Sequence, residues 1–161
     1  MRQTIDQPLY QQLLNDAHRS PRKRAHLNLH RSYDEPVQRV CIGLVQGTYV
    51  RPHAHLQSHQ WELILALQGS VGLVIFNPQG RIKERFILTA GSAVHGIELQ
   101  PGTWHTLYPQ DSEAVILEIK QGPYNPSSAA EIAAWAPPEG SEHTDRFLDW
   151  IGQAETGSTF F

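Results

Sequence analysis

From Val37 to about Lys120 the chain reads as one short strand after another, each closed by a turn signal. Strands are expected near 38–46, 48–55, 61–67, 71–76, 81–88, 93–99, 103–108 and 114–120. Asn77-Pro78-Gln79-Gly80 is the strongest turn between them, with Ala90-Gly91 and Pro109-Gln110-Asp111-Ser112 marking others,. About eight short antiparallel strands at this spacing predict an all-β sandwich or jelly roll, whose interior is the natural place for a small molecule. A chain of 161 residues suits one domain with a real core,. A net charge of −3 implies no general electrostatics for nucleic acid or membrane,. The single cysteine, Cys41, rules out an intramolecular disulfide and fits a reducing compartment,. No apolar run is long enough to span a bilayer and the N-terminus lacks a signal-peptide core, so the expected location is cytoplasmic,.

The densest chemistry lies between Gly47 and Gly69, where His53, His55, His59 and Glu62 fall in one short span. Side chains alternate along a strand, so Arg51, His53 and His55 point the same way. Two histidines spaced like this can address one point, and neutral imidazoles there favour a transition metal. Glu62 shares a strand face with Ile64 and Ala66, and a carboxylate buried on that face needs a partner,. His105 follows the turn Pro101-Gly102-Thr103-Trp104 with no local reason to be there.

These two segments resemble the paired motifs of the cupin superfamily: Gly47, five residues, His53-Ala54-His55, a gap, Glu62, six residues, Gly69, and later Pro101-Gly102-Thr103-Trp104-His105. The resemblance implies a cupin jelly-roll β-barrel with one divalent transition metal (Fe, Mn, Ni, Co or Zn) on His53, His55, Glu62 and His105. The gap between His55 and Glu62 is six residues where the family usually has three or four. His59 lies inside that longer loop, so His59 or Glu62 is the fourth ligand; the spacing to Gly69 favours Glu62.

On either side of the barrel the signals change. Residues 7–18 read as a short helix, with Pro8 in its first turn and Leu9, Leu13 and Ala17 on one face,. The segment 19–31 begins basic, with Arg22, Lys23 and Arg24, and then alternates. Leu27 and Leu29 occupy one face, and His26, Asn28 and His30 the other,. Arginine favours planar recognition of phosphate or carboxylate, so this arm is expected to hold an anionic ligand at the barrel mouth. Glu118 and Lys120 share a face of the last strand and are expected in the cavity. After a Gly122-Pro123 turn, Ser128 and Glu131 form a capping box that predicts a helix to Trp135,. Phe147, Trp150 and Ile151 make a second helical stripe, and residues 154–161 read as frayed, with Phe160 and Phe161 offering a surface for a neighbouring subunit. The organisation expected is an N-terminal helix and arm (1–36), a barrel (37–124) and a helical tail (125–161), giving short helices at both ends.

Ser20-Pro-Arg-Lys-Arg-Ala-His-Leu-Asn-Leu-His30, Pro36-Val-Gln-Arg39, Tyr49-Val-Arg-Pro-His-Ala-His55, Pro101-Gly-Thr-Trp-His105, Glu118-Ile-Lys-Gln-Gly-Pro-Tyr124 and Trp135-Ala-Pro137 resemble, more narrowly, the WbuC family of cupin-fold metalloproteins. That resemblance spans roughly residues 8–139 and implies a link to surface-polysaccharide sugar metabolism, but no defined reaction. The function expected is a mononuclear metal-dependent enzyme of isomerase or epimerase type acting on a small anionic carbohydrate. A non-catalytic metal-dependent binding module and an iron-dependent dioxygenase are the alternatives. Arg24, Asn28, His30, Arg51 and Lys120 are the expected substrate-binding residues. His59, Tyr49, His30 and Lys120 are the candidates for moving protons,. A homodimer through paired edge strands is the one protein partnership implied.

Overall fold

The computed structural model describes residues 3–161. Ten strands form two five-stranded antiparallel sheets. The strands are β1 (Arg24–Asn28), β2 (Val37–Val45), β3 (His53–Ala54), β4 (Glu62–Gln68), β5 (Ser70–Phe76), β6 (Ile82–Thr89), β7 (Gly96–Leu99), β8 (Trp104–Pro109), β9 (Glu113–Gln121) and β10 (Glu131–Ile132). Spatial order is β1-β2-β9-β4-β7 in the first sheet and β10-β3-β8-β5-β6 in the second. This is the jelly roll that the strand spacing predicts, with short helices α1 (Gln7–Arg19) and α2 (Thr144–Gln153) near the two ends,. No helix among the described residues is long and apolar enough to cross a membrane.

Strand alternation sorts side chains into three layers. Val40, Ile42, Leu44, Ile64, Ala66, Val71, Leu73, Leu107, Ala114 and Ile116 meet between the sheets,. The opposite parity of the first sheet, including Cys41, Val45 and Val115, faces outward beneath α1. Asp6 caps that helix by accepting from the Leu9 amide at 3.2 Å, a start signal one turn before the apolar stripe,. Gly43 allows the close approach, since a Cβ there would lie 2.9 Å from the Leu13 carbonyl carbon. In the third layer, Val74, Phe76 and Ile82 from the outer face of the second sheet pack against Phe147 and Ile151 of α2.

Three expectations about local structure need correction. Only His53–Ala54 of the segment 48–55 is strand. Pro52 lacks an amide, and the ladder to β8 is the single pair His53↔His105,. Residues 128–135 do not form a helix but run past the barrel mouth and contribute β10. Asn125 Oδ1 accepts from the Ser127 amide and hydroxyl in a competing turn,. The backbone beyond is committed to the barrel: the Ala133 amide donates to Pro52 O at 2.9 Å, and the Ala133 carbonyl accepts from Arg51. Residues 154–161, expected to fray, are docked on their own chain. The Ile82 amide donates to Ser158 O at 2.9 Å, and Phe160 lies 5.0 Å from Phe147 between ring centroids.

Candidate functional site

The interior of the barrel turns polar one row at a time. Register places Leu44 opposite Ala114, Ile42 opposite Ile116, Val40 opposite Glu118 and Gln38 opposite Lys120. On the other side of β9, Ala66, Ile64 and Glu62 sit opposite Ile116, Glu118 and Lys120. Glu62 therefore enters at the polar end, beside Lys120, while His53 and His105 enter as cross-strand neighbours from the facing sheet. The polar end opens into a cavity of about 1040 Å³, ample for a sugar-sized ligand,.

His53, His55, His105 and Glu62 converge. Ring centroids are 5.3 Å apart for His53 and His55, 4.5 Å for His53 and His105, and 6.1 Å for His55 and His105. Glu62 Oε2 lies 3.1 Å from His105 Nε2 and 3.5 Å from His55 Nε2. As these side chains stand, they are drawn together in pairs: among the described residues no group of three or more His, Cys, Asp or Glu has the spacing of a metal cage. The donor chemistry nevertheless suits one. His53 Nδ1 faces Arg51 O at 3.0 Å, His105 Nδ1 faces Thr103 O at 2.9 Å, and His55 Nδ1 faces the Ala129 carbonyl. A backbone carbonyl only accepts, so each Nδ1 carries a proton and Nε2 is the atom each imidazole turns to the cavity, with a lone pair wherever the ring is neutral. Among the described residues His55 Nε2 is buried without a hydrogen-bond partner, and Glu62 Oε2 has only the two ionic contacts just given. A cation shared by the Nε2 atoms and the carboxylate would satisfy them together, in place of the proton that Glu62 draws onto His105,.

The electrostatics of this cluster are strongly coupled. Burial works against ionising Glu62, but His105, His55 and Lys120 outweigh it and hold the carboxyl well below its usual range,. Burial likewise disfavours a charge on His105, and the adjacent Glu62 carboxylate overrides this to raise the imidazole. His53 is pushed down to about 3, by burial first and then by His105. Glu118 is raised by burial, while its partner Lys120, 2.5 Å away, is held protonated by the Glu118 and Glu62 carboxylates against its own burial.

The other expected site residues divide. Arg24, Asn28, His30, Arg51 and Lys120 all line the cavity. Arg24, however, is not a free cation. It donates to Tyr49 O at 2.9 Å and lies 3.0 Å from Glu139, which also takes both forks of Arg22 at 2.8 Å. Arg51 donates to Ala133 O at 2.9 Å and has no carboxylate within ion-pair distance among the described residues. Two candidates for proton movement lie elsewhere. Tyr49 is buried in the α2 layer, where its hydroxyl donates to Pro137 O at 2.7 Å and its ring packs on Phe147. Tyr49, like Arg51 and His55, lies outside β3, so strand alternation does not fix the direction of its side chain. His59 is exposed in the 57–60 turn and does not line the cavity, so Glu62 rather than His59 joins the imidazoles.

Sequence reasoning missed several cavity residues. Gln38 was legible in principle, since it shares parity with Val40 and Ile42 on β2. Tyr33, Tyr124 and Glu139 had no local signal, because each reaches the cavity from outside the strands.

Solved structures with the same fold diverge widely in sequence. Oxalate oxidase in complex with the substrate analogue glycolate is 14% identical, with 70% of this chain and 56% of that one covered, at a TM-score of 0.53. CapF with the inhibitor 3-isopropenyl-tropolone is 13% identical over 66% of this chain and 31% of that one, at a TM-score of 0.56. A cupin superfamily protein from Desulfitobacterium hafniense DCB-2 is 15% identical, covering 61% and 76% of the two chains, at a TM-score of 0.48. At such identities the likeness is one of fold. No curated protein matches the sequence. One family model does, a domain of unknown function (DUF6016), over residues 5–88, a stretch that includes α1, β1, His53, His55 and Glu62. The chain thus shares the jelly-roll fold of these structures and belongs to the DUF6016 family.

Proposed function

We propose that the protein is a mononuclear metal-dependent cupin of WbuC type that acts on a small anionic carbohydrate, with isomerase- or epimerase-like chemistry linked to surface-polysaccharide sugars. The observation that carries this reading is the convergence of His53, His55, His105 and Glu62, each imidazole offering Nε2 because Nδ1 is engaged by a backbone carbonyl. A divalent metal on these four residues would supply a Lewis acid for a substrate carbonyl or hydroxyl. The chain's own groups do the rest. Arg51, a cavity cation without a carboxylate partner among the described residues, pairs with the substrate's acid group,. Lys120, with Glu118 against it at 2.5 Å, holds a proton at Nζ beside the metal-binding residues,. His30 offers a second polar contact through Nε2.

Elemental analysis of untagged protein tests the first half. Wild type is expected to hold about one metal per chain, and His105→Ala or Glu62→Ala to lose at least about tenfold in affinity. Wild type that stays metal-free after exposure to Fe, Mn, Ni, Co and Zn salts overturns it. Incubation with nucleotide sugars and uronic acids tests the second half. Binding without conversion makes the protein a binding module, and oxygen consumption makes it a dioxygenase.

A further inference from the structure

Beside Lys120, part of the cavity wall is aromatic. Tyr33 and Tyr124 have ring centroids 5.1 Å apart with planes inclined at 55°, and His30 lies 5.9 Å from Tyr33 at 46°. All three line the cavity. Tyr33 leaves 49% of its surface exposed, yet its backbone is fixed. The Tyr124 amide donates to Tyr33 O at 2.7 Å. Gln38, only 1% exposed, sends its Nε2 to Tyr33 O at 3.1 Å and Glu35 O at 2.7 Å. Gly122 lets the two loops touch backbone to backbone, since a Cβ there would lie 2.1 Å from Glu35 O. A large aromatic side chain held open on a rigid loop is a prepared contact surface. Beside it, His30 is 7% exposed, and its Nε2 has no partner.

We propose that Tyr33 and Tyr124, with His30 at their edge, form a platform for the C–H face of a pyranose ring, so that the cavity's substrate is a ring-closed sugar acid rather than a small open-chain acid. This rests on the carbohydrate reading of the cavity given above. The inclination of the rings decides the class of ligand. A flat nucleobase stacks on one such facet and leaves the other bare, whereas the puckered C–H face of a pyranose meets two inclined facets at once. The electron-rich ring faces attract those polarised C–H groups. Ring hydroxyls at the rim then meet His30 Nε2 and Asn28. Lys120 connects the platform to the buried cluster: its Nζ lies over the Tyr124 ring, 5.7 Å from the centroid, and 3.9 Å from Glu62, which leaves Tyr33 as the more open of the two facets. A sugar seated on Tyr124 is therefore one side chain away from the Glu62 carboxylate.

Calorimetry and saturation-transfer NMR with two probes test this: methyl β-D-glucuronide, which has the ring, and glycolate, which has only the acid and a hydroxyl. Tyr33→Ala is expected to weaken methyl β-D-glucuronide about three- to tenfold, while glycolate binding and metal content stay as in wild type. Tyr33→Trp is expected to retain the affinity, and saturation of the aromatic protons to appear on the axial C–H face of the sugar. The exposure of Tyr33 makes its removal compatible with folding, and Tyr124→Leu provides a second variant. If both variants bind methyl β-D-glucuronide as wild type does, the platform is wrong. Wild type that binds glycolate but not methyl β-D-glucuronide also overturns it, while leaving the acid site standing. Tighter binding of uridine than of methyl β-D-glucuronide replaces the sugar by a base. A protein that takes up neither probe removes the underlying carbohydrate reading as well.

Discussion

Two clusters of charge line the same cavity and are built on opposite plans. In one, Glu62 on β4 faces Lys120 on β9, with Glu118 two residues away on the same strand, Glu62 buried and the other two largely so. In the other, Glu139 comes from the segment after β10 to meet Arg22 and Arg24 before and on β1, more than a hundred residues away. The first cluster is set by strand register and is as rigid as the sheet. The second is a tether between two distant parts of the chain, with Arg22 59% and Glu139 33% exposed at the side chain and Arg24 only 7%. Burial therefore makes the first energetically sensitive to any imbalance, whereas solvent damps the second.

The largest effect expected from breaking this contrast is in the buried cluster. Lys120→Met leaves Glu118 without its partner and should lower unfolding free energy by about 3 kcal/mol. That is the low end for a broken buried pair, because Glu118 can take up a proton rather than remain charged. The loss should shrink as pH falls. Urea denaturation measures it, and the double variant Lys120→Met/Glu118→Leu should recover most of it. A Lys120→Met protein as stable as wild type near neutral pH would mean that the cluster is solvated after all.

The contrast also marks what the sequence could tell. Period-two alternation put Glu118 and Lys120 on one face of a strand and His53 with His55 on another, and the resemblance to the cupin motifs joined the two histidines to Glu62 and His105,. The same logic placed Asn28 and His30 on the cavity face of the arm. It failed where tertiary contacts override local preference. The Ser128–Glu131 capping box lost to the bonds that the Ala133 backbone makes with Pro52 O and the Arg51 side chain, and to the Asn125 turn. Arg24 looked like a free anion clamp because nothing near it in sequence announces Glu139. Tyr33 and Tyr124 lie outside the strands and are brought together by the Gln38 anchor, a contact that no periodicity encodes.

Glu139→Gln should act more gently, costing about 1–2 kcal/mol, mainly by leaving buried Arg24 with an uncharged partner. Its signature is pH dependence. Hydrogen bonding from Arg22, supported by Arg24, holds the Glu139 carboxyl down to about 2, well below the usual carboxylate range. A carboxylate depressed on folding stabilises above its unfolded value and loses that contribution as pH falls through the folded one. The stability difference between wild type and Glu139→Gln should therefore be full above about pH 5 and fade toward pH 2,. A difference that is flat across this window would remove the charge-based account of the tether.

The smallest effect belongs to Arg22, which shares Glu139 with Arg24 but is largely exposed. Its bidentate geometry, 2.8 Å on both forks, is good for an ion pair, yet solvent and salt screen it and its side chain gives up freedom to hold it,. Arg22→Gln should cost no more than about 1 kcal/mol at low ionic strength, and less in high salt. Arg24→Gln removes a buried donor to both Tyr49 O and Glu139, so its cost should be larger and nearly independent of salt,. Denaturation of the two variants at low and high salt separates the exposed and the buried half of one tether. Equal salt sensitivity would show that burial does not distinguish the two arginines, and the contrast with the Lys120 cluster would then have to rest on register alone.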